Sequence, residues 1–198
     1  MKTYYEAFGK RIFDVLFSLA LIVLLLWWFV PVIAILVYLD SREAIFYYQE
    51  RVGANNKPFN IIKFRSMRGV PPSNDPLLSK DEQLRITRLG RILRKYRIDE
   101  LPQFYNVLKG EMSIVGPRPE RHQFLSKITQ YLPKYKRLIA LKPGISSLGQ
   151  IRFGYADSLD EMLQRARYDL KYLDNINLIT DLKVVLATVW VVLNGKGK

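Results

Sequence analysis

The chain has no cysteine and a single histidine, His122. The first absence excludes a disulfide framework, a thiol nucleophile and a thiolate metal site, and the second excludes a zinc centre of ordinary composition. Neither G-x-G-x-x-G nor G-x-x-x-x-G-K-[ST] occurs, so neither a dinucleotide fingerprint nor a P-loop phosphate cradle is indicated. Internal repeats and low-complexity tracts are absent too. What is abundant is positive charge: 31 Lys and Arg against 18 Asp and Glu, a formal net charge of +13 across 198 residues. An anionic partner is implied, whether nucleic acid, anionic lipid or a phosphorylated small molecule. Hydrophobic residues make up 49% of the chain, enough for one domain with a real core.

From Val15 to Leu39 no charged residue occurs. As a helix this stretch would run about 37 Å, long enough to cross a bilayer. Trp27-Trp28 and Pro31 interrupt it, and no small-residue cleavage site follows, so it is not a signal peptide of the usual kind. Lys2, Lys10 and Arg11 precede it, and Arg42, Arg51 and Lys57 follow within twenty positions. That balance gives no direction by the positive-inside rule, and the economical reading leaves both ends on one, cytoplasmic, face. Pro31, which removes an internal helical hydrogen bond, supplies a place for the chain to turn. The expectation is a re-entrant membrane helix over residues 1–40, broken near Pro31, with a tilted span carrying a proline kink as the alternative. Residues 41–198 form the second unit, a cytoplasmic domain holding nearly all the charge. Leu182–Leu193 is apolar but short and contains Lys183, which suits a helix packed on the core or lying at the interface.

Within that domain, Ile45–Gln49 and Phe59–Phe64 read as strands joined by a loop beginning at Gly53, and 66–76 as a proline-rich loop. Helical spacing marks 81–97, Asp99–Lys109 ended by Gly110, Phe124–Leu141 with a break at Pro133, and Ser158–Tyr172 behind a serine cap. Val115–Pro119 and Lys142-Pro-Gly144 read as turns. The fold class is α with minor β, in one compact unit.

Three features carry chemistry. Asp99-Glu100 sits where Asp99 would cap a helix with Pro102 in its first turn, and the ordinary reading is a capping aspartate with a glutamate complementing the dipole. Pro102 lacks the N–H such a cap often binds, and Arg88, Arg91, Arg94, Lys95 and Arg97 precede the pair. A carboxylate beside several arginines suits phosphate chemistry, as nucleophile or as metal ligand. Gly116-Pro-Arg-Pro119 fixes the backbone around Arg118 and preorganises its guanidinium for a phosphate. Lys63, at a strand end, is a third cation. The basic run 85–97 could serve nucleic acid, but its apolar residues form one packed face and the membrane segment makes DNA an awkward partner.

The order of motifs extends this reading. Lys63-Phe-Arg-Ser-Met67, Thr87-Arg-Leu-Gly-Arg-Ile-Leu-Arg94, Asp99-Glu-Leu-Pro-Gln103, Asn106 through Pro119, and Lys142-Pro-Gly-Ile145 closely resemble the bacterial sugar transferase family, the monotopic polyprenyl phosphoglycosyl transferases. The resemblance runs from about Lys10 to Leu193, and the length matches the small members of the family. It implies that Asp99 attacks the sugar-linked phosphate of a UDP-sugar, expels UMP and passes the phosphosugar to undecaprenyl phosphate. It implies Mg²⁺, with Asp99 and Glu100 as its ligands and Glu100 assisting catalysis. Lys63, Arg94, Arg118, Lys142 and Asp169 would bind substrate, Asp169 with a structural role as the alternative. The partners implied are UDP-sugar, undecaprenyl phosphate and membrane lipid, without nucleic acid, and a homodimer is left open. The location implied is the bacterial inner membrane, with the catalytic domain on the cytoplasmic face. Val30-Pro31 departs from the family's Ser-Pro, Arg97-Ile98 from its Ser-Leu and Glu111 from its Asp. Ser146-Ser-Leu-Gly-Gln150 stands for Thr-Gly-Trp-Ala-Gln, so the identity of the sugar does not carry over. A non-catalytic membrane scaffold and a membrane-tethered nucleic-acid binder are the competing readings.

Overall fold

The computed structural model describes residues 4–69, 84–154, 156 and 158–197. The part of the 66–76 loop beyond residue 69, and residues 81–83 of the basic stretch, lie outside the described residues.

The apolar run forms helix α1, Tyr5–Ser41, long and apolar enough to cross a membrane. It ends where Arg42 turns left-handed at φ 59°. Pro31 does not interrupt it. The helix continues through the proline, and the departures from α-geometry are π-helical turns at Tyr5–Gly9 and Ile22–Leu26, both before it. The loss of one i→i−4 bond at Pro31 is thus absorbed without a break, contrary to the sequence expectation.

One side of α1 is packed along most of its length. Phe13, Phe17, Leu21, Leu26 and Val30 lie against Phe104, Val107, Ile114 and Tyr172, and Ile33 and Val37 lie against Phe64 and Leu93. The other side leaves Ile12, Leu16, Val23, Leu24, Trp27, Ile35 and Leu39 exposed. Polar bonds fix the N-terminal half. Arg11 donates to the carbonyls of Val107 (2.6 Å) and Leu108 (2.9 Å), and buried Asp14 accepts from Ser113 Oγ (3.0 Å) and the Ile114 N–H (2.9 Å).

Strands β1 (Phe46–Val52) and β2 (Pro58–Phe64) pair antiparallel as expected, with Tyr47 opposite Lys63. Helix α2 (Arg88–Lys95) is opened by Thr87, whose Oγ1 accepts from the Gly90 N–H at 2.8 Å. The expected helix from Asp99 is shorter. Helix α3 is Gln103–Lys109, ended by Gly110 at φ 84°, and residues 98–100 form a 3₁₀ turn in front of it. Strand β3 (Ser113–Val115) pairs in parallel with β4 (Gly144–Ser146), where the sequence suggested only turns. Three-residue strands carry too little alternation to be read locally.

Helix α4 (His122–Tyr131) gives way at Pro133, followed by α5 (Lys136–Ile139). Helix α6 is Leu148–Arg152, and α7 (Leu159–Leu173) opens on a full capping box from Ser158 and Glu161. The last helix, α8 (Leu178–Leu193), buries Asp181 and Val184 and exposes Leu186, Trp190 and Leu193. Val107, Met112 and Val115 are fully enclosed at the centre. Burying each contributes about 1.5–3 kcal/mol, which seats α3 and β3 firmly beneath the site.

Candidate active site

A cleft of about 200 Å³ opens between β1–β2, α2 and the segment following β3. Its lining is strongly cationic: Arg51, Lys63, Arg65, Arg85, Arg94, Arg118, Arg121 and Arg165, against Asp99 and Glu120. Arg65 is engaged by Glu43 at 2.8 Å, and Arg85 donates to the carbonyls of Arg68 and Gly69. Those two cations therefore brace the rim.

Asp99 and Glu100 lie in the 3₁₀ turn after Arg97, whose left-handed φ of 52° turns the chain back after α2. Such a backbone costs a non-glycine residue about 1 kcal/mol. Asp99 is thus not the expected helix cap, because α3 begins three residues beyond Glu100 and its N-cap is Pro102.

The two carboxylates are both buried, yet their surroundings differ. Glu100 Oε1 accepts from Lys63 Nζ at 2.9 Å and its Oε2 from Arg97 at 3.4 Å. Lys63, Arg97 and Arg118 outweigh the burial that would raise its pKa, and hold Glu100 well below the usual carboxylate range. Asp99 lines the cleft, and its side chain makes no hydrogen bond among the described residues. Burial and the Glu100 charge raise it, against Lys63, Arg94 and Arg97, to about 6. One carboxylate is clamped, and its neighbour is left open to the cleft.

The structure brings Lys63, Arg94, Asp99 and Arg118 together in the cleft. Asp169 stands behind it. Its Oδ1 accepts from the Gly149 N–H at 2.8 Å and its Oδ2 from the Arg118 N–H at 3.5 Å, and burial pushes it up to about 6. That geometry positions Arg118 and α6. Lys142 is outside the cleft altogether, beside Gly110 and Arg11. Burial and the Arg11 charge lower its pKa.

Other residues of the site were not singled out from the sequence. Arg97 figured in a basic run and in a motif departure, with no role assigned, yet it clamps Glu100. With its amide oxygen facing the guanidiniums, Gln150 accepts from Arg97 (3.2 Å) and Arg118. Glu120 pairs with Arg165 at 2.6 Å, both buried. No local pattern joins residues 45 apart, so the pair has no short-range signal in the sequence.

The cleft offers a divalent cation few donors. Among the described residues no group of three or more His, Cys, Asp or Glu is gathered. Asp99 offers uncommitted oxygens, whereas both Glu100 oxygens are engaged. One carboxylate completed by substrate phosphate oxygens and water is the habitual setting of Mg²⁺, so the residues fit such an ion through Asp99.

Comparison with known proteins gives a consistent result. A family model described as bacterial sugar transferase matches residues 5–195. The UDP-N-acetylgalactosamine-undecaprenyl-phosphate N-acetylgalactosaminephosphotransferase of Aeromonas hydrophila is 39% identical over 194 residues, covering 96% of this chain and 45% of that protein. The UDP-glucose:undecaprenyl-phosphate glucose-1-phosphate transferase of Klebsiella pneumoniae is 37% identical, with 91% and 39% covered. The exopolysaccharide production protein PSS of Rhizobium leguminosarum bv. phaseoli is 37% identical, with 91% and 92% covered. The chain therefore spans less than half of the first two proteins and nearly all of the third.

Proposed function

The chain belongs to the bacterial sugar transferase family, and from that premise we propose that it transfers a sugar 1-phosphate from a UDP-sugar to undecaprenyl phosphate, releasing UMP. The observation that carries this reading is the open Asp99 carboxylate in a cationic cleft beside a clamped Glu100.

In the first step an Asp99 oxygen attacks the sugar-bearing β-phosphorus. The bond from that phosphorus to the bridging oxygen breaks, and its electron pair leaves on UMP. In the second step a phosphate oxygen of undecaprenyl phosphate attacks the same phosphorus and returns the carboxylate. An ionised carboxylate needs no base for the first step. Arg94, whose side chain makes no hydrogen bond among the described residues, and Arg118 lie where they can neutralise charge on the transferring phosphate. Lys63 and Arg97 hold Glu100 ionised and fixed, which keeps a like charge beside Asp99 and leaves Asp99 the reactive member. Mg²⁺, held by Asp99 and diphosphate oxygens, would supply charge neutralisation at the departing phosphate. Glu100 would join it only by giving up Arg97.

A re-entrant placement of α1, as a continuous helix rather than the broken one expected from Pro31, belongs to the same proposal, with residues 1–40 in the inner membrane and 41–198 on its cytoplasmic face. Both halves of α1 pack against one domain while the opposite side stays apolar and exposed. A helix crossing the bilayer would carry one of its ends away from that domain. The exposed apolar side of α8 suits the interface for the same reason.

The test is UMP release from a panel of UDP-sugars, with Mg²⁺ and undecaprenyl phosphate, for wild type and Asp99→Asn. Release that requires the aspartate supports the reading and names the sugar. Release unchanged in Asp99→Asn removes the covalent step, and release from no donor removes the reaction.

A further inference from the structure

The charge in the cleft is unevenly placed. Around Asp99 stand Lys63, Arg94 and Arg97 against Asp99 and Glu100, close to balance. On the other side Arg51, Arg121 and Arg165 gather with Arg118, against Glu120, which is already tied to Arg165, and Asp169, which stands behind the Arg118 backbone. The surplus of positive charge is there, away from the reactive carboxylate.

This cluster is built by the fold. The Val52 N–H donates to the Glu120 carbonyl at 3.0 Å, joining the end of β1 to the Pro117–Arg121 segment. Arg51 donates to the Pro119 carbonyl at 3.2 Å and to Gln49 Oε1 at 2.6 Å. Its Nε–H is buried without an acceptor among the described residues. Burial and the neighbouring Arg118 and Arg121 lower its pKa to about 9, with Glu120 opposing. Like charges crowded in a partly desolvated wall are unfavourable unless an anion joins them.

We infer that Arg51 and Arg121, with Arg118 shared between the two halves of the cleft, form an anion subsite for the phosphate of the departing nucleoside monophosphate. This rests on the transfer reaction proposed above. When the bond to the β-phosphorus breaks, the electron pair goes to an oxygen of the nucleotide's own phosphate, which becomes a dianion. The surplus guanidiniums meet that charge where it appears. Arg118, within electrostatic reach of both Glu100 and Arg51, spans the breaking bond. Arg51 and Arg121 are thus binding residues for the leaving group, distinct from the cations around Asp99.

The test is UMP affinity, measured by calorimetric titration of the full chain in detergent micelles, for wild type, Arg51→Lys, Arg121→Gln and Arg121→Lys. Arg121→Gln should weaken UMP binding about tenfold or more, as expected for loss of a charge-assisted contact. Arg121→Lys should recover most of that loss. Arg51→Lys, which keeps the charge but not the guanidinium fork, should weaken binding several-fold. Melting without nucleotide checks that the variants fold, and Arg121, the more peripheral residue, carries the decision if Arg51→Lys does not. UMP affinities within twofold of wild type in Arg121→Gln overturn the subsite while leaving the transfer reaction standing. No UMP binding by wild type overturns both.

Discussion

Replacing Asp181 by alanine removes the acceptor at the centre of a buried junction between three helices. Its carboxylate takes hydrogen bonds from Tyr5 (2.6 Å) and Lys10 (2.7 Å) of α1 and from Tyr172 (2.7 Å) of α7, and the residue is fully enclosed. Losing a hydrogen bond to a charged acceptor costs each tyrosine about 1.5 kcal/mol, the low end for such bonds, because half-buried Tyr5 can turn to water and Tyr172 keeps a long bond to the Val115 carbonyl at 3.4 Å. Lys10, whose side chain retains 15% of its exposure, recovers part of its hydration, so its share is about 1 kcal/mol. The sum is about 4 kcal/mol, which for a chain of this size lowers Tm by roughly 8–16 °C. Asp181→Asn keeps one acceptor oxygen and should lose about half as much. The assay is thermal unfolding in detergent micelles, with limited proteolysis of the N-terminal segment as a second readout, since the junction fastens α1 to the domain. Coupling between Lys10→Met and Asp181→Asn should reach about 1 kcal/mol in a double-mutant cycle. An Asp181→Ala protein melting within 2–3 °C of wild type would refute the argument.

Glu120→Gln should destabilise by about 3 kcal/mol, because Arg165 is left as a buried cation facing a neutral amide. Asp174→Asn, which breaks a half-exposed pair with Arg137, should cost about 0.5 kcal/mol or less, and chemical denaturation compares the two. Gly90→Ala ought to gain helix propensity, yet the added methyl would overlap the Ser66 carbonyl. Net destabilisation of about 2 kcal/mol is expected, and a Tm at or above wild type would contradict it. Burial raises the Asp169 pKa from 3.8 to about 6, opposed by the Gly149 amide and Arg165. A raised carboxylate pKa favours the folded state below the unfolded value, and that contribution is lost as pH rises through the folded value. Asp169→Asn should therefore gain stability relative to wild type between pH 4 and 7, by about 3 kcal/mol at most. A stability gap constant over that range would count against it.

Much of the local architecture follows from short-range sequence. Thr87 and Ser158 each accept from an amide three residues on, and Gly110 supplies the left-handed residue that ends α3. The paired strands around Gly53 have the alternation and turn residues that such elements need. The charge imbalance, the uncharged run and the ordered motifs around Asp99 and Arg118 likewise stand in the sequence, and they sufficed to place the chain among the sugar transferases. The fate of the helix at Pro31 was not legible, because a missing hydrogen bond can be met by a break or by local adjustment within a continuous helix.

Tertiary structure decided what those residues do. Asp99 and Glu100 are adjacent and chemically alike; Lys63, brought from β2, joins Arg97 in making Glu100 the clamped partner and leaves Asp99 open. Lys142 belongs to a motif as plain as the others, yet packing sends it to the α1 side, while Asp169 turns inward to hold the Arg118 backbone. Glu120 meets Arg165, and Asp181 meets Tyr5, across separations of 45 and 176 residues. The physical reason is common to all of them. Caps and turns are set by bonds within about four residues, so composition and spacing specify them. The protonation, reach and exposure of a buried charge depend on which distant groups the core brings within a few ångströms, and that is settled only when the chain has packed.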